Sequence, residues 1–430
     1  MSNELIAEPA EQATGRLLGE IACPNCWFRF APERILFVAR HEALIGDDVV
    51  GDHAYRRFLP TRFNVAGDAI DARGMACQEL ACPRCHLTIT RPLVEMQPFF
   101  CSIAGAPASG KSYFLATMTW ELRSRASRFG LVFSESDPTA NYELQRYEET
   151  LFLSPDPDQP IEIRKTETQG TQLYQTVFLE GQPQTFPRPF QFTVSPAITN
   201  RKSAGEVADD GYRSVVLYDN AGEHFLPGQD STNLPVTLHL AEAGAIFFIF
   251  DPTQDPRFRQ RCTSDDPQLK FGNRADSKVF LMRQEAILTE LASRVRRYKG
   301  LSHTSKHRKP LIVILAKADI WANMVGVDMN QEPVVPGSPD RLDLKAVEAA
   351  SKACGQLMRE LCPEIAAAAE NFATTVKYIP VSSLGTSPEM VEQGEKKFYG
   401  VRPSKIHPRW VTVPLLWALA SGVPGLVPTT

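Results

Sequence analysis

The chain has 430 residues, nine cysteines and a formal net charge of −4, with 43% hydrophobic and 22% charged residues. That is ordinary globular composition, with length for one to three domains and a large core. The slightly acidic balance gives no electrostatic case for nucleic acid as a partner.

The start, Met1-Ser2-Asn3-Glu4-Leu5, is polar and acidic and has no apolar run of signal-peptide length, so a cytoplasmic protein is expected. Residues 1–20 read as a polar lead-in. Cys23-Pro24-Asn25-Cys26 and Cys82-Pro83-Arg84-Cys85 then form two near-identical knuckles, 55 residues apart. Each CxxC turn aims two thiolates at one point, and two such turns complete a closed tetrahedral Zn²⁺ site. Cys77 and His86 stand close enough in sequence to replace one ligand. A thioredoxin-like redox pair is the competing reading, although nothing nearby reads as its βαβ unit. Residues 21–95 are therefore expected to be a zinc-binding module, with the 27–81 stretch an insertion inside it.

Gln97 to Ala104 reads as a short buried strand, and Lys111 to about Ser127 as a helix with Phe114, Leu115, Met118 and Leu122 on one face. Between them, Gly105-Ala106-Pro107-Ala108-Ser109-Gly110-Lys111-Ser112 fits the phosphate-loop pattern G-x-x-x-x-G-K-[ST]. Gly105 and Gly110 let backbone N–H groups approach phosphate oxygens, and the helix N-terminus adds partial positive charge. Lys111 is expected to reach the β- and γ-phosphates, and the Ser112 hydroxyl to ligate Mg²⁺. Ala108, Ser109 and Tyr113 complete the expected nucleotide contacts.

Residues 96–430 alternate strands and helices, as in an α/β sheet, with a Pro-, Thr- and Gln-rich insertion around 131–210. Phe190 to Val194 suggests an edge strand. Buried strands are expected at Ser214–Tyr218, Ala245–Phe250 and Leu311–Leu315, with Val376–Val381 the last. Helices are expected over Val279–Tyr298 and Leu344 to about Phe372, with a polar loop from Asp328 to Asp340. The basic run Lys306-His307-Arg308-Lys309 reads as a solvated loop. The apolar tract Val411–Val427 is broken by Pro414, Gly422, Pro424 and Gly425, so it reads as a packed helix rather than a membrane span.

Several strands end in polar signatures, which is where open α/β sheets bind ligands. The ordered set GAPASGKS, DNAGE (Asp219 to Glu223), AKAD (Ala316 to Asp319) and SSLG (Ser382 to Gly385) resembles the Ras-like GTPases of the translation-factor-related class. With the zinc knuckles in front, the chain is similar to the bacterial double-GTPase group proposed to act in conflict or signalling systems. The resemblance implies an α/β P-loop NTPase sheet flanked by helices, with a small N-terminal zinc-knuckle module. It implies that Asp219 holds Mg²⁺ through water and that Gly222 senses the γ-phosphate. Glu223 stands where a water-orienting glutamine is usual, with His224 beside it, so slow or partner-dependent hydrolysis is expected. Lys317 would pack over a guanine base and Asp319 would accept from its N1–H and N2–H₂, with Ser383 and Leu384 against the base. Ala316 replaces the usual asparagine. Thr185, with Thr171 behind it, is the candidate threonine for Mg²⁺, and Arg188 or Arg201 a candidate arginine finger.

The expectation is a GTP/GDP-binding, Mg²⁺-dependent switch, with Lys111, Glu223, Thr185 and Gly222 at the reacting phosphate and unidentified protein partners. Two alternatives stay open: an ATP-using P-loop NTPase, and a nucleotide-binding scaffold that does not turn over.

Overall fold

The computed structural model describes residues 17–162, 174–197, 211–220, 225, 236–264, 266–270, 283–393 and 396–430. Seven strands form one mixed sheet: β1 (Gln97–Gly105), β2 (Leu131–Glu135), β3 (Phe190–Pro196), β4 (Arg213–Asp219), β5 (Ala245–Phe250), β6 (Leu311–Leu315) and β7 (Val376–Pro380). Their order across the sheet is β2-β3-β4-β1-β5-β6-β7. β1 pairs in parallel with both β4 and β5, and β6 and β7 continue that direction. The β2–β3 and β3–β4 pairs are antiparallel. Residues of β4, β5 and β6 are buried throughout, which is why they read as unbroken apolar runs rather than alternating ones. The fold is thus α/β, a mixed sheet flanked by helices.

The helices begin and end for local reasons. α1 (Lys111–Arg125) starts directly after Gly110, whose φ of 91° only glycine adopts at no steric penalty. α2 (Pro138–Phe152) is capped by Asp137, whose side chain accepts from the Thr139 and Ala140 amides, with Pro138 in the first turn. α3 (Val236–Glu242) packs on α4 (Gln284–Lys299), which stops at Gly300 with φ 62°. α5 (Leu344–Leu361) is capped by Asp343, α6 (Pro363–Phe372) follows it, and α7 (Val413–Gly422) closes the chain's last turn of core.

Several sequence expectations change here. The single helix expected over Leu344 to Phe372 is two, because Cys362 leaves the helical conformation (φ −134°, ψ 56°) before Pro363, which cannot continue the preceding helix. Phe190–Pro196 is not the edge strand; β2 covers it on the outside. Val376–Pro380 is the last strand of the main sheet only, since Glu389–Gln393 and Lys396–Gly400 form a later hairpin. The polar loop from Asp328 to Asp340 holds Val334–Val335, which pairs with Arg341–Leu342. Of the helix expected from Val279, residues 279–282 lie outside the described residues.

Before β1, short strands build a small four-stranded sheet in which Leu36–Val38 pairs with Arg57–Phe58 and Leu80–Ala81, and Leu80–Ala81 with Thr88–Ile89. Hairpins Ile45–Asp47/Gly51–Tyr55 and Ala69–Ile70/Ala76–Cys77 project from it. This region packs on the main sheet through Ala22, Trp27 and Leu93 against Phe100, Val216 and Tyr218. The hairpin Tyr174–Leu179/Gln182–Pro187 joins it from the other side, with Val177 and Phe186 in one cluster with Cys23, Cys26, Cys82 and Cys85. Among the described residues no helix is long and apolar enough to cross a membrane.

Gly105 is the tightest point of the sheet. A Cβ built there would lie 2.6 Å from the Ile249 carbonyl oxygen, a backbone atom that cannot swing aside. Gly105→Ala is therefore expected to push β1 from β5 and to destabilise the fold by about 1–3 kcal/mol. Gly19→Ala, with nothing within 4 Å, serves as the neutral control, and urea unfolding of both variants reads the difference.

Candidate functional site

The parallel register of β1, β4, β5, β6 and β7 brings Gly105, Asp219, Phe250, Leu315 and Pro380 to one edge of the sheet. The phosphate-loop residues, Asp219, Lys317, Asp319 and the 382–385 segment all follow from strand ends on that edge.

The loop wraps tightly. Ser109 and Lys111 are buried, Ala108 is exposed with φ 58°, and the Ser109 amide donates to Ala106 O at 3.3 Å. Lys111 Nζ turns back to donate to the carbonyls of Gly105 (3.1 Å) and Ala106 (2.8 Å). Ser112 and Tyr113 occupy the first turn of α1. Beside this lysine, Asp219 is buried, and neither of its carboxylate oxygens has a hydrogen-bond partner among the described residues. Burial pushes its carboxyl up to about 6, with the Lys111 charge pulling the other way. A buried carboxylate without donors is costly unless a cation meets it. The chemistry of the Asp219 carboxylate therefore fits a cation at this edge of the sheet.

The other end of the edge is braced differently. Lys317 has φ 55°, and its Nζ donates to Asp251 Oδ2 (2.7 Å) and Thr253 Oγ1 (2.9 Å). Asp251 is fully buried and accepts from the Thr253 amide and hydroxyl, while Gln284 bonds both its backbone N–H and C=O. Gln254 Nε2 donates to Pro107 O at 3.1 Å, joining this turn to the phosphate loop. Asp319 is exposed and accepts from the buried Ser382 hydroxyl, which also accepts from the Gly385 amide at 2.9 Å. Ser383 and Leu384 lie between, in a segment pinned to 407–409 by the Ser382 and Arg409 backbones and by His407 N–H to Leu384 O. Ala316 is buried and its carbonyl accepts from Trp321 Nε1.

Sequence reasoning overlooked Asp251, Thr253, Gln254 and Gln284. The signal was present: Asp-Pro-Thr directly after a buried strand is a cap with proline in the first turn.

Thr185 is not brought to the loop by any contact among the described residues. It sits in the Gln182–Pro187 arm, with its hydroxyl 2.8 Å from Thr176 Oγ1, and its neighbour Phe186 packs beside the cysteines. Gly222, Glu223 and His224, with Thr171 and Arg201, lie outside the described residues.

The four knuckle cysteines form a second site. All four are buried and their sulfurs lie within 4.8 Å of one another, with Cys23–Cys85 and Cys26–Cys82 each at 3.7 Å. A tetrahedral site with Zn–S bonds of about 2.3 Å has sulfur–sulfur edges of about 3.8 Å, so the cluster has the dimensions of that site. Both knuckles close in the same way. The residue after the second cysteine is left-handed (Trp27 φ 60°, His86 φ 57°), and its amide donates to the first cysteine's carbonyl at 3.0 Å. Burial pushes the Cys23 and Cys85 thiols well up, whereas hydrogen bonds from the neighbouring cysteines pull Cys26 down; a bound cation would favour the thiolate form of the sulfurs that hold it. Cys77 and His86 are neighbours rather than ligands: Cys77 faces Asp71, and His86 Nδ1 contacts Asp47 at 2.9 Å.

No family model matches the chain. It is similar, at 25% identity over 352 residues, to a protein of Mycolicibacterium smegmatis named "Putative ESX-1 scaffolding and assembly protein SaeC", covering 77% of this chain and 78% of that one. Among solved structures, a variant of Era from Aquifex aeolicus bound to GDP and AlF4⁻ matches at 13% identity and a TM-score of 0.23, over 68% of this chain and 53% of that one. The GTP-bound GTPase-like domain of Ski7 from S. cerevisiae gives 12% and 0.26, over 69% and 47%. Era in complex with MgGDPNP and a piece of 16S ribosomal RNA gives 12% and 0.22, over 71% and 62%. This chain thus spans about half to three-fifths of those solved chains, and TM-scores this low carry no functional argument.

Because the folded-state pKa of Asp219 is raised from 3.8 to about 6, the metal-free fold binds its proton more tightly than the unfolded chain does. Stability from this group is present below pH 4 and is lost as pH rises to and beyond 6, by on the order of 3 kcal/mol. Asp219→Asn removes the charge and keeps the shape. The variant should therefore melt higher than wild type at pH 8 without metal, and close to it at pH 4, in thermal unfolding followed by circular dichroism.

Proposed function

We propose that this chain is a Mg²⁺-dependent guanine-nucleotide-binding protein that acts as a scaffold for protein assembly, with a zinc-held module in front of its nucleotide site. The observation that carries the reading is the buried carboxylate of Asp219 beside the phosphate-loop lysine, with no hydrogen-bond donor among the described residues. In this reading the amides of 105–113 and Lys111 cradle the β- and γ-phosphates, and Ser112 and Asp219 hold the Mg²⁺. The ion supplies charge neutralisation across the phosphates when bound.

Lys317 is set by Asp251 and Thr253 so that its stem can cover a base, and Asp319, oriented by Ser382, accepts from guanine N1–H and N2–H₂. Adenine lacks that donor pair, so ATP would leave the carboxylate unpaired. Ser383 and Leu384 would offer backbone N–H groups to the base. With Ala316 in place of asparagine, guanine selection falls to Asp319.

The similarity to a protein named for scaffolding and assembly favours a structural role over a turnover-driven one, and partners in such an assembly over a conflict or signalling system. Glu223, where a water-orienting glutamine is usual, supports the same view: its negative charge near the γ-phosphate would slow attack by water. The zinc cluster would be structural, since four protein thiolates leave no open position.

Binding of fluorescent GDP and GTP, with Mg²⁺ and against ATP competition, tests this reading, with phosphate release measured alongside. Lys111→Ala should weaken both nucleotides at least tenfold. Asp319→Asn should weaken GTP by roughly 100-fold or more and shift preference toward xanthine nucleotide, whose base presents an acceptor there. Displacement by ATP as readily as by GTP would overturn the guanine assignment, and rapid multiple-turnover phosphate release would overturn the scaffold role. For the cluster, purified protein should carry one equivalent of zinc by elemental analysis. Cys82→Ser should lose the zinc and unfold the region around it at lower temperature.

A further inference from the structure

The cysteine cluster and the strand that carries Asp219 are in direct contact. Trp27, the residue after Cys26, lays its ring against Phe100 (centroids 4.5 Å apart) and Tyr218 (5.9 Å). Its left-handed backbone, at φ 60°, is uncommon for a bulky residue and turns the indole out of the knuckle toward the sheet. Tyr218 is fully buried, and its hydroxyl donates to the Pro24 carbonyl, inside the first knuckle, at 2.5 Å. The same ring stacks on His239 with centroids 4.6 Å apart. His239 Nδ1 lies 3.2 Å from Ser102 Oγ, which accepts from Asn220 Nδ2 at 3.1 Å. Asn220 Nδ2 also donates to Ile103 O at 2.8 Å.

The residues on both sides of Asp219 are thus fixed. Tyr218 before it is held by the knuckle, and Asn220 after it is held by β1. Successive strand residues face opposite sides of a sheet, so the tyrosine points to the knuckle while Asp219 points away from it. Pro24 sits between two of the four sulfur ligands, so an ion in the cluster fixes the carbonyl that Tyr218 grips.

We propose that Tyr218 is a positioning residue through which the metal-loaded cysteine knuckle holds Asp219 in place for cation-dependent nucleotide binding. The inference rests on the nucleotide reading above and adds a linkage to it. Linkage is reciprocal: if the loaded knuckle tightens Mg²⁺-nucleotide binding by some factor, Mg²⁺-nucleotide tightens the knuckle's hold on zinc by the same factor.

The test measures the equilibrium partition of zinc between the full chain and a chromophoric chelator, with Mg²⁺ alone, with GDP alone and with both. Fluorescent GDP binding is recorded in the same samples. In wild type, Mg²⁺ and GDP together should raise the protein's affinity for zinc by about fivefold, the low end of typical coupling, and GDP alone should do less. Tyr218→Phe keeps the ring stacking and removes only the hydroxyl. It should bring the ratio toward one and weaken GDP binding in Mg²⁺ more than in its absence. Trp27→Phe should act the same way and guards against a folding defect peculiar to the first variant. A purely structural tyrosine would lower melting temperature without changing either ratio. If GDP binds and the zinc partition ignores it, or if both variants keep the wild-type ratio, the inference is overturned while the nucleotide reading stands. If no nucleotide binds, both fall together.

Discussion

Two backbones approach so closely at Gly105 that no side chain fits between them, and the placement of the phosphate loop follows from that contact. With β1 seated against the Ile249 carbonyl on one side and paired with β4 on the other, the loop can leave the sheet only at its C-terminal edge. The same register delivers Asp219 to the side of Lys111 and carries the ends of β5 and β6 past the loop. What a ligand meets there is decided by strand order before any side chain is chosen.

The two candidate ion sites obey one electrostatic rule. Each gathers acidic groups where water is excluded: two carboxylate oxygens at Asp219, four thiols in the knuckles. In both, burial pushes the acid toward its neutral form, at Asp219 to about 6 and at Cys23 and Cys85 well up. A cation would reverse that balance, so free energy of ion binding at either place would become free energy of folding. The aromatic contact among Trp27, Phe100 and Tyr218 puts the two sites against one another across the sheet.

The local parts of this architecture are legible in the sequence because they rest on local chemistry. The CPxC knuckles, the glycine-bearing loop and the unbroken apolar strands each report their own backbone. Read from sequence, α5 and α6 run together as one helix, although Pro363 carries a local signal for the break. What sequence alone does not give is pairing across long separations. The covering of β3 by β2 depends on which strand reaches the edge, and alternation of side chains looks alike in both. The bond from Tyr218 to Pro24 spans 194 residues and joins a residue that reads as core to one that reads as a turn. The candidate site divides along the same line: its loop and Asp219 announce themselves, whereas Asp251 and Gln254 matter only through neighbours brought from elsewhere in the chain.

Lys111 is buried, with its ammonium folded onto the carbonyls of Gly105 and Ala106. An arriving polyphosphate would meet a cation from which folding has already removed most of the surrounding water. Capture would trade those neutral acceptors for anionic ones, so part of its barrier would lie in displacing the loop's own carbonyls. Such a site would discriminate by charge at the moment of encounter, since a neutral visitor would offer the ammonium nothing better than it already has.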